Sequence, residues 1–302
     1  MPVAPVRLNG IFPPMPTVFD ASGDVDAAAI RFNVERWMRT DLIGVLALGS
    51  NGEAPMLDDD ECDRVVASAR EVMPRSRTLL AGTGRESTRQ TIAASRRAAA
   101  QGADAVLVRT PSFFKGQMTN DALTAHYTAV ADASPVPVVL YNMPTVTGVT
   151  LIPHVVATLA QHENIIGIKE TSVELERLGQ FVAGAPKGFT VLCGAAPVIY
   201  PALVSGAGGG ILAAANVVPS LFTQLHAAAT SGRHDVALRL QQAVTHFARL
   251  VTAVHSIAGL KVAMDIAGYR GGAPRAPLAA VSEKGVAEIR TALEVLLSTV
   301  AT

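Results

Sequence analysis

The sequence has little charge and almost no cysteine, and each shortage excludes a class of protein. Only 17% of the 302 residues are charged, and 25 basic residues balance 25 acidic ones, which excludes a strongly basic nucleic-acid-binding protein. Two cysteines, Cys62 and Cys193, are too few for a disulfide framework. No uninterrupted apolar run is long enough to cross a membrane, yet 49% of the residues are hydrophobic. We therefore expect a globular protein with a large core and with neither nucleic-acid nor membrane partners.

Motifs for cofactors and metals are also missing. The sequence has no Walker loop, and its seven histidines are scattered instead of lying at metal-ligand spacing. The glycines of residues 206–210 lead into a predicted strand, whereas a dinucleotide-binding fingerprint leads out of a strand into a helix. We therefore predict neither a metal nor an organic cofactor. Residues 2–16 are rich in proline and contain no signal-peptide core, so a cytoplasmic location is the default expectation.

Short apolar runs alternate with longer segments of helical period along most of the chain. This alternation is typical of βα units around a parallel sheet, and eight such units make a (β/α)8 TIM barrel. A doubly wound open sheet is the alternative, but eight strands without a mononucleotide-binding half fit it poorly. The predicted strands are residues 11–19, 43–48, 78–81, 105–108, 136–141, 165–169, 190–192 and 210–213. The predicted helices between them include residues 26–39, 58–73, 87–101, 120–133 and 153–161.

The alternation stops after the eighth run. Residues 219–302 contain helical patterns only, and no segment there has the length or composition of a linker. We therefore predict a barrel over residues 1–218 and a C-terminal helical extension over residues 219–302, packed on the barrel as part of the same domain.

In such a barrel the functional residues lie where the strands end, so the residue that closes each run is a candidate. Lys169 ends the sixth run directly after an apolar segment. Partial desolvation of a lysine there disfavours the ammonium ion and lowers its pKa, which yields a free amine able to attack a ketone and form a Schiff base. A lysine at a strand end can instead extend to solvent, and its position alone does not decide between these interpretations.

Two other strand ends carry polar groups. Tyr141 closes the fifth run and lies beside Lys169 if consecutive strands are neighbours, where its hydroxyl could transfer protons. Ser50 and Asn51 follow the second run between two glycines, in a turn whose backbone N–H groups could bind a carboxylate. An ordinary core tyrosine and an ordinary glycine turn are the alternatives at these two positions.

These strand ends, in this order, resemble the dihydrodipicolinate synthase and N-acetylneuraminate lyase family of class I aldolases. The resemblance extends from residues 13–17 to residues 275–278. It implies that Lys169 forms a Schiff base with pyruvate and that Tyr141 assists proton transfer. It also implies a homotetramer built as a dimer of dimers. The substrate-binding residues predicted on this basis are Ser50, Asn51, Gly49, Thr171 and Ile211.

Within that family, the sequence is most similar to the 4-hydroxy-2-oxoglutarate aldolases. Its turn at residues 49–53 has the asparagine of those aldolases, where synthases and sialic-acid lyases usually have threonine. The segments 80–88, 134–141 and 259–261 add to the likeness. Val146 occupies the position where a dihydrodipicolinate synthase normally has an arginine for the carboxylate of its second substrate. The missing ion pair argues against synthase activity.

The resemblance therefore implies cleavage of a 4-hydroxy-2-oxo acid to pyruvate and an aldehyde, with 4-hydroxy-2-oxoglutarate as the first choice and glyoxylate as its aldehyde. Two alternatives stay open: a 2-keto-3-deoxy sugar-acid aldolase or dehydratase with the same Schiff base, and a protein that binds pyruvate without turnover. Phe114 replaces a family tyrosine that reaches into the neighbouring subunit's site. We therefore expect a water or a substrate group to carry the proton between Ser50 and Tyr141.

Overall fold

Eight short parallel strands form the centre of the molecule, as the apolar runs predict. The computed structural model describes residues 6–301. The strands are β1 (Ile11–Phe12), β2 (Gly44–Ala47), β3 (Thr78–Gly82), β4 (Ala105–Arg109), β5 (Val138–Asn142), β6 (Ile165–Glu170), β7 (Thr190–Cys193) and β8 (Gly209–Ile211). They form one sheet in the order β1-β8-β7-β6-β5-β4-β3-β2. The predicted (β/α)8 barrel is therefore confirmed.

Hydrogen bonds just beyond the first strand close the sheet into a barrel. The N–H of Met15 donates to the carbonyl of Leu46 at 2.9 Å, and the N–H of Leu46 donates to the carbonyl of Pro13 at 3.0 Å. The predicted first strand, residues 11–19, is a strand only over Ile11–Phe12. The prolines at positions 13, 14 and 16 have no N–H to donate, so they interrupt the regular ladder.

Helices connect the strands and cover the outside of the barrel. The predicted helices begin and end within a few residues of their observed bounds, because their N-caps are encoded locally. Asp58, for example, accepts from the N–H of Glu61, whose carboxylate accepts from the N–H of Asp58. No helix among residues 6–301 is long and apolar enough to span a bilayer. The helices are α1 (Ala27–Met38), α2 (Asp59–Val72), α3 (Thr88–Ala100), α4 (Asn120–Ala133), α5 (Pro144–Thr147), α6 (Pro153–Leu159), α7 (Leu175–Ala183), α8 (Ile199–Val204), α9 (Pro219–Thr230), α10 (His234–Arg249), α11 (Ser256–Ile266) and α12 (Glu283–Ala301).

Apolar side chains pack in two layers, one inside the barrel and one between the strands and the helices. The inner layer contains inward-pointing side chains such as Phe12, Leu46 and Val139. Tyr141 and Ile211 belong to this layer at the ends of their strands. Because the interior is filled, polar groups at the strand ends are presented at the mouth of the barrel.

Side-chain hydrogen bonds join the chain after β8 to the first helix of the barrel. The indole N–H of Trp37 on α1 donates to the carbonyl of Asn216 at 3.0 Å. The side-chain amide of Asn33, also on α1, donates to the carbonyl of Arg270 at 2.7 Å and accepts from its N–H at 2.8 Å. Both α1 residues are buried, so the segment that follows α11 is held against the barrel by satisfied polar contacts.

Candidate active site

Tyr141 and Lys169 are neighbours across two adjacent strands. Tyr141 on β5 pairs with Lys169 on β6 in the register of the sheet, and each side chain is only 4% exposed. The Nζ atom of Lys169 lies 4.3 Å from the centroid of the Tyr141 ring. The predicted proximity is therefore confirmed, and the amine is buried at the mouth of the barrel instead of extending to solvent.

The turn after β2 brings a hydroxyl to the same place. A single turn of 3₁₀ helix spans Ser50–Gly52, and the first N–H groups of such a turn have no acceptor within it. Leu48 adopts a left-handed conformation, with φ 56°, which directs the chain sharply out of the strand. The Oγ atom of Ser50 lies 3.3 Å from the phenol oxygen of Tyr141. The two hydroxyls are in direct contact, where the sequence led us to expect a bridging water or substrate group.

Met143 completes this hydroxyl pair and was missed by the sequence analysis. Its Sδ atom lies 2.7 Å from the phenol oxygen of Tyr141 and 3.5 Å from the Oγ atom of Ser50, so it can accept a hydrogen bond from either hydroxyl. A thioether is a weak acceptor, so it orients these hydroxyls without forming a strong competing bond. The only available signal was its place two residues after the strand-end tyrosine.

A buried carboxylate supports the strand on which the lysine lies. Glu170 is fully buried and accepts from the side-chain amide of Asn142 at 2.6 Å, the N–H of Ser172 at 2.8 Å and the Nε–H of Arg177 at 3.3 Å. A buried charge is stable only when it is paired and hydrogen-bonded, and this one meets both conditions. The network joins the ends of β5 and β6 and so fixes the backbone that carries Lys169.

Gly194 follows β7, the strand that flanks β6 on the side away from β5, and its missing side chain leaves space for Lys169 and Thr171. A Cβ atom added at Gly194 would lie 2.6 Å from the Oγ1 atom of Thr171 and 3.0 Å from the Cε atom of Lys169. The Oγ1 atom of Thr171 is buried and has no hydrogen-bond partner among the described residues. A buried hydroxyl without a partner is costly, which makes Thr171 available to a polar ligand.

The remaining predicted residues lie around this centre. Gly49 begins the serine turn in an extended conformation, and Asn51 is half-buried within it. Ile211 is buried in the inner layer that also contains Tyr141. Val146 on α5 is 65% exposed, and its side chain carries no charge.

The loop after β4 carries Phe114 away from the centre of its own barrel. The Phe114 side chain is 68% exposed, and its ring packs edge-on against that of Phe113 at 5.0 Å. Glu86 holds this loop by accepting from the backbone N–H groups of Ser112 and Phe113, each at 2.8 Å. Burial raises the pKa of Glu86, but the hydrogen bonds from Phe113, Ser112 and Arg109 outweigh it and lower that pKa to about 2.

A cavity of about 430 Å³ opens beside the hydroxyl pair. Ser50, Gly49 and Tyr141 line one part of it, and Arg85 and Arg109 line another. Lys169 does not line this cavity, and its amine lies 4.3 Å from the centroid of the Tyr141 ring, which does. Glu86 also lines the cavity and lies 2.8 Å from Arg109, and the volume suits a small organic molecule.

Thiol and metal chemistry have little support around this site. Burial raises the pKa of the Cys193 thiol to about 12, so it is protonated and a poor nucleophile near neutral pH. Among residues 6–301, no group of three histidine, cysteine, aspartate or glutamate side chains lies close enough to hold a metal ion.

Comparison with known proteins identifies one family. The model of the dihydrodipicolinate synthetase family matches residues 7–296. A 4-hydroxy-tetrahydrodipicolinate synthase of an Exiguobacterium species is 34% identical over 292 residues, which cover 95% of this chain and 97% of that protein. The Emericella nidulans protein named "Probable 4-hydroxy-2-oxoglutarate aldolase, mitochondrial" is 32% identical over 288 residues, covering 94% of this chain and 93% of the relative.

Solved structures show the same architecture. YagE, an E. coli K12 prophage protein of the dihydrodipicolinic acid synthase family solved in complex with pyruvate, superposes with a TM-score of 0.91. The two chains are 29% identical, and the match covers 97% of this chain and 99% of YagE.

Proposed function

Because this chain belongs to the dihydrodipicolinate synthetase family, whose members are lyases and aldolases, we propose that its Schiff base forms on Lys169. The observation that carries this proposal is the buried amine, 4.3 Å from the Tyr141 ring in the strand-end site. The amine at this strand end is positioned to attack the ketone of a 2-oxo acid that enters the mouth of the barrel.

The proposed reaction proceeds through an iminium ion and an enamine. The Nζ atom of Lys169 attacks C2 of the 2-oxo acid, the carbinolamine loses water, and the resulting iminium accepts electrons from the substrate. The 4-hydroxyl proton passes to Tyr141, or to a water near it, while the phenol passes its own proton on to Ser50 or water; the C3–C4 bond breaks, and the aldehyde leaves. The electron pair of that bond forms the pyruvate enamine, which takes a proton at C3. Water then hydrolyses the iminium and releases pyruvate and the free lysine.

The turn after β2 is proposed to hold the pyruvyl carboxylate. The N–H groups of Ser50 and Asn51 lie at the start of a 3₁₀ turn, the end at which backbone donors are free for an anion. Gly49 allows the close backbone approach that such a contact needs. We also propose that the unpartnered hydroxyl of Thr171 binds the substrate and that Ile211 packs against it.

The proposed substrate is 4-hydroxy-2-oxoglutarate, which gives pyruvate and glyoxylate. A relative at 32% identity carries the name of that aldolase, although the Exiguobacterium relative carries the name of a synthase. Val146 favours the aldolase, because an exposed valine cannot form the ion pair that a synthase arginine makes with its second substrate.

Product analysis with matched substrates tests this choice. The protein is incubated separately with 4-hydroxy-2-oxoglutarate, with a 2-keto-3-deoxy sugar acid, and with pyruvate plus aspartate semialdehyde, and products are measured by mass spectrometry. We expect the highest kcat/KM for release of pyruvate and glyoxylate from the first. Preferred turnover of the sugar acid or of the semialdehyde would overturn the choice of substrate. Pyruvate binding without turnover of any substrate would show that the protein binds pyruvate and is not an aldolase.

The chain's organisation is part of the same proposal. We propose that residues 1–218 and 219–302 form one domain, because buried contacts such as that of Trp37 with Asn216 join α1 to the chain beyond β8. We further propose a cytoplasmic homotetramer, a dimer of dimers in which the exposed Phe113 and Phe114 are buried between subunits.

A further inference from the structure

The segment 259–261, part of the family likeness, contains a lysine that the proposed reaction does not use. Lys261 on α11 is fully buried, and its Nζ atom lies 2.6 Å from the Oε1 atom of Glu53, which is also buried. Nζ also donates to the carbonyl of Ala273 at 2.9 Å and lies 4.6 Å from the centroid of the Phe19 ring. A lysine so enclosed has no access to solvent and is held by a single carboxylate.

Glu53 is the residue that ends the serine turn. Its N–H donates to the carbonyl of Ser50 at 3.1 Å, and its backbone is left-handed, with φ 55°. A glutamate is disfavoured in this conformation, so neighbouring contacts must impose it. Its two carboxylate oxygens are held separately, Oε1 by Lys261 and Oε2 by the N–H of Arg275 at 2.8 Å.

Arg275 also forms hydrogen bonds with the chain that follows the serine turn and with the loop before α1. Its guanidinium donates to the carbonyl of Met56 at 2.9 Å, to the carbonyl of Gly23 at 2.6 Å and to the Glu61 carboxylate at 2.8 Å. Arg275 therefore contacts Glu53 itself and the chain that follows it, so the position of the turn depends on a residue far away in the sequence.

We propose that Glu53 and Lys261 are positioning residues that hold the N–H groups of Ser50 and Asn51 in the geometry that binds the substrate carboxylate. The inference rests on the proposed function of that turn. Removing either charge leaves the other buried without its partner, and the turn must then shift to hydrate it. A displacement of about 1 Å in a binding group is enough to weaken its contact with a substrate severely.

Pyruvate trapping by borohydride measures this effect directly. The extent of labelling is determined by intact mass spectrometry at increasing pyruvate concentrations, and the melting temperature of each variant is recorded alongside. The test variants are Glu53→Gln and Lys261→Met, which remove one charge each with little change in volume. The matched control is Asp104→Asn, which breaks the partly buried ion pair with Arg70 at 3.0 Å, just before β4 and hence at the opposite end of the barrel.

We expect both test variants to raise the half-saturating pyruvate concentration by about tenfold or more, with labelling still complete at saturation. The control should lower the melting temperature and leave the half-saturating concentration unchanged. Because the glutamine keeps the shape and an acceptor oxygen, Glu53→Gln gives the answer even if Lys261→Met does not fold.

Unchanged pyruvate dependence in Glu53→Gln, with or without a lower melting temperature, would show that the ion pair only stabilises the fold. An equal increase in the Asp104→Asn control would show that general destabilisation causes the effect. Absence of labelling in the wild-type protein would instead contradict the proposed function itself, so the two failures are distinguishable.

Discussion

The hydroxyl of Ser50 lies 3.3 Å from the phenol oxygen of Tyr141, although Ser50 follows β2 and Tyr141 lies on β5, two strands that are not neighbours in the sheet. The mouth of the barrel brings the turn after β2 and the end of β5 together, and the sulfur of Met143 contacts both hydroxyls. The two hydroxyls therefore contact each other within one chain. A phenol from a second subunit is not needed for this contact, which accommodates phenylalanine at position 114.

Removing the phenol hydroxyl should reduce turnover strongly. We expect Tyr141→Phe to lower kcat by about 10² or more, because proton transfer at the 4-hydroxyl group loses its acid–base group. The control is Tyr127→Phe, which removes a buried hydroxyl that donates to the carbonyl of Val108 at 3.2 Å, away from the site. The control should lose some stability and retain kcat.

The same assay tests the significance of Phe114. Its replacement by tyrosine should change kcat only modestly, because Ser50 and Tyr141 already contact each other. If Tyr141→Phe turns over nearly as fast as the wild type, Tyr141 is not the main proton carrier. A large gain in kcat for Phe114→Tyr would mean that the direct contact does not replace the family tyrosine.

Space at Gly194 is predicted to be essential for the lysine. In Gly194→Ala the new Cβ atom would lie 2.6 Å from Oγ1 of Thr171 and 3.0 Å from Cε of Lys169, so these side chains must move. We expect loss of about 10² in kcat/KM, measured by pyruvate release. Gly179→Ala on α7 is the control, because nothing lies within 4 Å of its added Cβ atom. Full activity in Gly194→Ala would show that Lys169 tolerates displacement.

His126 makes the stability of the fold depend on pH. It is buried on α4 with its Nδ1 atom 2.9 Å from the hydroxyl of Thr88, and burial lowers its pKa from 6.5 to about 4. Between these two pKa values the unfolded chain binds more protons than the folded one. The contribution of His126 to the free energy of unfolding is therefore complete above pH 6.5 and is lost as the pH falls towards 4. The shift corresponds to about 3 kcal/mol at most.

Denaturant titrations of the wild type and His126→Asn from pH 7.5 to 4 measure this contribution. Asparagine keeps a polar group near Thr88 but does not titrate in this range, so the difference in free energy between the two proteins should shrink or reverse as the pH falls. A difference that is constant over the whole range would contradict the assignment of the pH dependence to His126.

Assembly should depend on the loop after β4. Phe113 and Phe114 are 78% and 68% exposed in a single chain, and we expect them to be buried between two subunits. Sedimentation velocity should show a tetramer at micromolar concentration, and the double variant Phe113→Ser/Phe114→Ser should dissociate. A wild-type protein that sediments only as a monomer would overturn the proposed assembly.

The sequence predicts the centre of the site because strand ends in a barrel converge at one mouth. Lys169, Tyr141 and Ser50 each close or follow an apolar run, so the predicted barrel places them at one mouth, and the family resemblance supplies their roles. Met143 carries no such signal, because its contact depends on the rotamer of a flexible side chain. The link between Glu53 and Arg275 joins residues 222 positions apart, and only the folded C-terminal segment reveals it.

Borohydride reduction in the presence of pyruvate, followed by peptide mapping, tests the central claim most directly. Peptide mapping distinguishes Lys169 from the other lysines of the chain, including Lys261, whose amine is buried and lies 2.6 Å from the Glu53 carboxylate. We predict one reduced pyruvyl group per chain, on Lys169, and none in Lys169→Ala. Label on Lys261 or Lys284, or continued labelling of Lys169→Ala, would contradict the assignment of Lys169 as the Schiff-base lysine.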